Sequence, residues 1–165
     1  MAHKYKLVGN LVFNQEDGEV IHAKTAETLA KFPVKLGIPV HMFAEQASIP
    51  IDSTGVKRAT GHFTLDEETL KHLSEAYLQA EATTPDATDA VVKVELYNRT
   101  DAVVITSLEY AGEGGLKTGG DIASELKNLT GKQINVRLNV TTASATSGAT
   151  QTFRSVVLKL IYDFT

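Results

Sequence analysis

Residues 133–142, QINVRLNVTT, carry the clearest structural pattern in this chain. Apolar and polar side chains alternate along the stretch almost without exception. The apolar set comprises Ile134, Val136, Leu138 and Val140. Successive side chains of a strand point to opposite faces of its sheet, so a period of two indicates a strand that is buried on one face. The stretch predicts an antiparallel sheet with one face against a core and the other toward solvent.

Strand patterns of the same kind lie on both sides of this stretch. They cover residues 90–97 (AVVKVELY), 102–110 (AVVITSLEY) and 153–164 (FRSVVLKLIYDF), with short turns such as TPDATD and NRTD between strands. Seven or more strands at hairpin spacing, two or three short helices and no recurring βαβ unit predict an all-β, antiparallel β-sandwich. Strands drawn from distant parts of the sequence favour a jelly-roll or Greek-key wrap. A length of 165 residues without a linker predicts a single domain over residues 1–165.

The N-terminal third contains weaker strand and helix patterns. Residues 4–14 read as one strand that turns at Asp17-Gly18 and returns through residues 19–23. Residues 25–33 predict one or two helical turns that Pro33 ends. Proline donates no hydrogen bond to a sheet, so we expect Pro39 and Pro50 at strand edges or ends. Residues 53–63, STGVKRATGHF, indicate an exposed connection to a further short strand.

Two later segments predict short helices. Thr64 and Glu67 have the spacing of a capping box, and Leu70, Leu73 and Tyr77 fall on one helical face. Residues 76–84 that follow are interpreted as a strand. The second helix, residues 122–129, would be capped by Asp121 and stopped by Gly131.

Composition excludes several functions. The formal net charge is −4 and the basic residues are scattered, whereas a nucleic-acid binder needs a concentrated cationic surface. The absence of cysteine excludes disulfides, thiolate nucleophiles and cysteine zinc sites. No stretch approaches the roughly 20 apolar residues of a membrane span. The N-terminal residues lack a signal-peptide pattern. The sequence does not determine the compartment, and a virion or an extracellular surface is compatible with it.

The stretch YAGEGGLKTGGD, residues 110–121, poses the question of a phosphate-binding loop. It holds five of the twelve glycines and stands between a predicted strand and a predicted helix. A Walker loop requires lysine directly after glycine, but Leu116 separates Gly115 from Lys117. Asp121 would also place a carboxylate where a phosphate has to lie. We expect a flexible connection across one end of the sandwich and no nucleotide.

Other candidate residues also have structural explanations. The histidines are His3, His22, His41, His62 and His72. They lack metal-ligand spacing; His41 and His62 could meet on neighbouring strands, but polar strand-face histidines are favoured. Asp86 and Asp89 suit either a calcium loop or a turn whose carboxylates bind local amides, and we favour the turn. The acidic residues 66–68 suit a helix N-terminus. We expect no catalytic, cofactor-binding or metal-binding residue.

Aromatic residues and glycosylation motifs give only weak functional indications. Tyr97 is expected on a solvent face, whereas Tyr5, Tyr110 and Tyr162 are assigned to the core or its rim. Without tryptophan, the flat aromatic platform of a carbohydrate-binding sandwich is missing. The sequence N-x-T occurs at Asn98, Asn128 and Asn139, and it matters only in a secreted protein.

The final strand suggests a partner. One face carries the apolar row Val156, Leu158, Leu160, Tyr162 and Phe164. On the opposite face Val157 and Ile161 flank Lys159, so both faces are apolar. Either helix 122–129 or another subunit would cover the second face. We expect a non-catalytic structural or assembly protein, such as a subunit or decoration protein of a virus particle or surface filament, that contacts copies of itself or another structural protein. The alternative is a small-ligand or carbohydrate-binding module that uses loops 111–120 and 143–150, and a hydrolase with scattered carboxylates is the third hypothesis.

Overall fold

The computed structural model describes residues 5–8, 11–14, 19–22, 28–31 and 35–163. The first four segments form one sheet of consecutive antiparallel neighbours. Its strands are β1 (Tyr5–Val8), β2 (Leu11–Asn14), β3 (Glu19–His22) and β4 (Thr28–Lys31).

This N-terminal sheet confirms one prediction and overturns two. β2 and β3 pair antiparallel, as the predicted hairpin requires, although Asp17-Gly18 itself lies outside the described residues. The single strand over residues 4–14 is wrong, because β1 and β2 are separate strands paired with each other, with Val8 opposite Leu11. The helical turns over 25–33 are also wrong: β4 pairs with β3, and sheet pairing overrides a weak helical preference.

Residues 35–163 form two five-stranded sheets. The β10/β13 sheet has the order β11-β10-β13-β7, and β8 pairs with another part of β13. Its strands are β7 (Gly55–Ala59), β8 (Phe63–Thr64), β10 (Val91–Asn98), β11 (Val103–Ala111) and β13 (Gln133–Thr142).

The β9/β14 sheet has the order β12-β9-β14-β5, and β6 pairs with the first part of β14. Its strands are β5 (Lys35–His41), β6 (Ala47–Pro50), β9 (Leu73–Ala82), β12 (Gly115–Thr118) and β14 (Thr150–Asp163). All described strand pairings are antiparallel, and segments distant in sequence are neighbours, as in a Greek-key wrap. The predicted antiparallel sandwich is confirmed.

The core consists of the inner faces of these two sheets. In the β10/β13 sheet, Val94 lies opposite Leu138 in register, and both are fully buried. In the β9/β14 sheet, Leu78 lies opposite Leu158, and both are again buried. These rows belong to one hydrophobic cluster, so the predicted inward faces of residues 90–97, 133–142 and 156–162 are confirmed.

Two five-residue helices are present in the described residues, α1 (Glu67–Lys71) and α2 (Ala123–Lys127), and neither is long enough to cross a membrane. The cap of α1 is Asp66, whose Oδ1 accepts from the Thr69 amide at 2.6 Å, so the capping assignment to Thr64 is wrong. Asp66 reaches this amide because it lies three residues before Thr69, the spacing of an N-cap acceptor. Leu73 and Tyr77 belong to β9 instead of the helix.

The Asp121 carboxylate supports the start of α2 as predicted. Its Oδ1 accepts from the Ala123 amide at 3.0 Å and also from the Ala76 amide of β9 at 2.8 Å. α2 packs against β9 and α1, and its buried Ala123 and Leu126 join the core. These contacts lie elsewhere than the outer face of β14, where Val157 and Ile161 are half-buried. The helix therefore does not supply the predicted cover.

The prolines lie at a strand edge and a strand end, as expected. The segment before β8 contains a strand where the sequence indicated only an exposed connection. Pro39 lies on β5, at the edge of its sheet, and Pro50 is the last residue of β6. The segment 53–63 is exposed for most of its length, but it contains the edge strand β7, which pairs with β13.

Truncation of a core leucine should distinguish the core from the edges. Leu158 is 1% exposed, so Leu158→Ala should lower the free energy of unfolding by about 2–5 kcal/mol through lost burial and a residual cavity. Leu116 is 68% exposed, and Leu116→Ala should change it by less than about 0.5 kcal/mol. Denaturant titration of both variants measures the difference, and equal effects would contradict the two-layer core.

Candidate functional site

Three aspartates from two segments converge on residues 144–150 at one end of the sandwich. Asp89 accepts from the Ser144 hydroxyl at 2.6 Å and from the Ala145 amide at 2.8 Å. Asp86 Oδ2 accepts from both the amide and the hydroxyl of Thr150, at 3.1 and 2.7 Å. Asp52 accepts from the amide of Gly148 at 2.9 Å. We call these three aspartates and residues 144–150 the end-loop cluster.

The end-loop cluster corrects the interpretation of Asp86 and Asp89. Their carboxylates bind donors of the facing loop, whereas the sequence predicted bonds to amides of their own turn. These bonds also affect proton binding: the Ser144 hydroxyl, followed by the Ala145 amide, lowers the pKa of Asp89 below its usual value. Within the described residues, no group of three or more histidine, aspartate or glutamate side chains is arranged to hold a metal ion.

The glycine stretch 110–121 is partly a strand. Gly115–Thr118 forms β12, which pairs antiparallel with β9, so the prediction of a flexible connection is wrong for these residues. The Lys117 ammonium donates to the Glu109 carbonyl at 2.6 Å, pairs with the Glu113 carboxylate and lies 4.8 Å from the Tyr110 ring centroid. Lys117 therefore joins β12 to β11 and to its own turn.

The glycines of this stretch are required by close packing. Gly112 has a φ of +71°, and a Cβ there would overlap the Thr88 backbone. A Cβ on Gly114 would overlap the backbone of Thr84. The buried Gln151 side chain donates to the carbonyls of Thr83 and Glu113, at 3.1 and 2.8 Å. The segment 83–90 thus contacts both loops of the predicted ligand site: its backbone packs on Gly112 and Gly114, and Asp86 and Asp89 bind residues 144–150.

The outer face of the β10/β13 sheet holds a polar network that the sequence did not reveal. Glu95 is only 5% exposed, although the alternation places it on the outer face. Its carboxylate accepts from Arg137 Nε at 2.5 Å and from Asn139 Nδ2 at 3.2 Å. The Arg137 guanidinium lies 3.6 Å from the ring centroid of Tyr97, which is half-buried. The ring predicted to face solvent is therefore covered on one side.

The remaining candidate residues are dispersed. His41 lies on β5, whereas His62 lies in the other sheet's β7–β8 connection, with its Nδ1 3.3 Å from Arg99 Nη1, so the two do not occupy neighbouring strands. His72 is the C-cap of α1, His22 belongs to β3, and His3 lies outside the described residues.

Two of the three tyrosines assigned to the core or its rim are buried, as expected. Tyr110 is buried, its hydroxyl donates to the Ala80 carbonyl, and burial raises its pKa to about 12. Tyr162 is buried as well, and no side chain is described for Tyr5.

The three N-x-T motifs differ in accessibility. Asn98 is buried and bonds Asp101, and Asn139 is half-buried and bonds Glu95. Asn128 is exposed at the end of α2.

Large exposed apolar side chains mark the edges of both sheets. Within residues 35–163 they are Leu36, Ile38 and Val40 on β5, Val56 on β7, Val103 and Val104 on β11, and Leu116 on β12. On β5, Leu36, Ile38 and Val40 lie opposite the buried Tyr162, Leu160 and Leu158 in register. They are nevertheless 36–50% exposed, since β5 is the outermost strand.

A groove lies beside two of these edge strands, β5 and β11. One groove of about 320 Å³ lies beside β5, between Leu36, Ile38, Tyr162 and α1 residues. Another of about 320 Å³ lies beside β11, lined by Val103, Val104, Ile105, Leu129 and polar neighbours that include Glu125.

Comparison with known proteins assigns this chain to no family. No protein-family model matches the chain, and no curated protein matches it. Among solved structures, a chain from the structure of infectious bursal disease virus, Gx strain, is similar at 13% sequence identity and a TM-score of 0.36. The similarity covers 86% of this chain and 36% of that one, so this chain spans about a third of the viral chain's length.

Two glycines of one loop should respond differently to a methyl group. Gly114→Ala should lower the free energy of unfolding by about 1–3 kcal/mol, because the Thr84 backbone must move. At Gly120 no atom lies within 4 Å of the added Cβ, so Gly120→Ala should be neutral or slightly stabilising. Thermal and denaturant unfolding measure both, and an equally tolerant Gly114 would contradict the packing of residues 112–114 on 83–88.

The end-loop cluster should weaken in acid. Asp89 has a lowered folded pKa, so its contribution to stability is complete above the unfolded value of about 3.9 and is lost as the pH falls through the folded value. Ser144→Ala removes the largest cause and should raise the Asp89 pKa toward the ordinary value. Carboxyl NMR titration measures this shift. An Asp89 pKa that is ordinary in the parent protein, or unchanged by Ser144→Ala, would contradict the assignment.

Proposed function

We propose that this protein is a non-catalytic structural subunit that assembles with copies of itself through the edges of its sandwich. One observation carries the proposal: the large apolar side chains exposed within residues 35–163 all lie on the outermost strands β5, β7, β11 and β12. Contiguous exposed apolar surface in a folded protein marks a site of contact with another surface.

β5 supports the proposal most strongly. The apolar side chains of β5 lie beside buried side chains of β14: Leu36 beside Tyr162, Ile38 beside Leu160 and Val40 beside Leu158. The three β14 residues are at most 8% exposed, whereas the three β5 residues are 36–50% exposed. The β5 row therefore continues the core surface into solvent. Covering apolar surface yields roughly 25 cal/mol per Å², so a neighbouring subunit seated on this row would gain free energy that the isolated chain lacks.

The polar features are consistent with a scaffold. The end-loop cluster, the Gln151 bonds and the Glu95 network use their polar groups to bind parts of the same chain. We propose that no side chain of this protein performs catalysis. The setting that we propose is a virus particle or a surface filament, which a cysteine-free, threonine-rich sandwich suits.

A small ligand or glycan held by loops 111–120 and 143–150 is the second candidate function. It is favoured by the meeting of these loops at one end of the sandwich, through Gln151 and the segment 83–90. A thermal-shift library and a glycan array test it directly. A hit lost on substitution in the end-loop cluster, but retained in edge variants, would support this function.

Light scattering after size exclusion, at micromolar to millimolar concentration, tests self-assembly. We expect the mass to rise with concentration above the 17.8 kDa of one chain. Leu36→Lys should reduce this rise, because it places a charge on the exposed apolar row, whereas Ser147→Lys, on the exposed loop at the sandwich end, should not. A strict monomer throughout the range would contradict the proposal.

A further inference from the structure

We infer that the subunits meet side to side in one orientation, with the β11/β12 side of one copy against the β5/β7 side of the next. This inference rests on the proposed self-assembly and specifies the contact. It follows from where the apolar and charged residues lie on the two opposite sides of the sandwich.

The strand orders define these two sides. β11 and β12 are the outermost strands of their respective sheets, and the Lys117 bond to the Glu109 carbonyl ties one to the other. β7 is outermost at the other end of its sheet, and β5 and β6 border the corresponding end of the second sheet. β6 packs on β7, and the Arg58 guanidinium lies 5.3 Å from the Phe43 ring centroid. Each side carries exposed aliphatic residues from both of its edges.

The two sides differ in their unpaired charges. β5 and β7 carry Lys35, Lys57 and Arg58 and no carboxylate, and Glu68 of α1 lines the groove beside β5. Lys57 donates to neutral oxygens of Ser53 and Thr54, and Arg58 lies 3.5 Å from the Gln46 carbonyl. Lys57 and Arg58 have no carboxylate partner among the ion pairs of the described residues, whereas Lys35 lies near Glu75 and Asp163.

On the β11/β12 side the carboxylates of Glu109 and Glu113 are more than half exposed, and they pair with Lys93 and Lys117. Glu125 lines the groove beside β11 and has no cationic partner among the ion pairs of the described residues. The cation of β12, Lys117, is already paired with Glu113. Opposite charges favour contact between the two different sides, whereas pairing of like sides would bring like charges together.

The geometry indicates packing of side chains in preference to one continuous sheet. Pro39 lies in the middle of β5 and removes an amide from that edge, and such prolines blunt edge-to-edge pairing. The aliphatic row Leu36, Ile38 and Val40 then lies against the apolar groove of Val103, Val104, Ile105 and Leu129. When two different surfaces make the contact, each dimer still has one free β11/β12 side and one free β5/β7 side. Further subunits can therefore add, and the assembly becomes a ring or an open array.

A mixing experiment tests this directionality. Val103→Lys places a charge on the β11/β12 side, at a residue that is 56% exposed. Leu36→Lys places a charge on the β5/β7 side, at a residue that is 50% exposed. Each variant alone should associate at least tenfold more weakly than the parent protein. An equimolar mixture should form a discrete 1:1 dimer, because one intact side of each kind remains, and growth should stop there. Ser147→Lys should assemble like the parent.

The outcomes separate this inference from the proposed function. A parent protein that assembles while the mixture gives no dimer, or while either variant alone assembles fully, overturns the inference and leaves self-assembly standing. If Leu36→Lys lowers only the melting temperature, the chain's own residues cover β5, and the inference is again overturned. A monomeric parent protein contradicts both. If circular dichroism shows that a lysine variant is unfolded, the truncations Val103→Ala and Leu36→Ala, which introduce no charge, replace the pair in the same experiment.

Discussion

The pairing of two double rows of aliphatic side chains determines everything else in this molecule. β10 and β13 present one double row, β9 and β14 the other, and each closes on its counterpart to form the core. Burial of this surface is the dominant favourable term in the free energy of folding. Both double rows come from the middle strands of their sheets, so the protection from water decreases toward the edges. The contrast between Leu158, 1% exposed, and its cross-strand neighbour Val40, 36% exposed, illustrates this.

The edges and the ends of the sandwich use different chemistry. At the end near residues 83–90, carboxylates and a glutamine bind the amides and hydroxyls of neighbouring loops, so polar groups serve to close the structure. At the sides, aliphatic residues face solvent beside grooves, with positive charges on β5 and β7 and exposed carboxylates near β11 and β12. We therefore expect the functional contacts at the sides, where aliphatic side chains are still exposed and a partner would gain free energy by covering them.

Alternation and turn chemistry were sufficient to predict the sandwich, the inward residues of β10, β13 and β14, and the two short helices. The errors arose where tertiary context decides. Residues 28–31 have a helical preference but pair with β3, and Thr64 has capping-box spacing although Asp66 caps the helix. Sequence spacing also could not show which loop Asp86 and Asp89 would face, or that Arg137 would cover Glu95 and Tyr97. The glycines of residues 112–114 raised the question of a phosphate loop. Close backbone packing also requires glycine, so sequence alone does not distinguish the two causes.

Amide hydrogen exchange at several protein concentrations tests the account most directly, because it reports on core and edges together. β10 and β13 should exchange at the slowest rates at every concentration, since their amides open only with the core. β5 and β11 should exchange rapidly in dilute solution and become protected as concentration rises and neighbouring subunits cover them. Exchange in β5 and β11 that is independent of concentration, or exchange in β10 and β13 as fast as at the edges, would contradict the account.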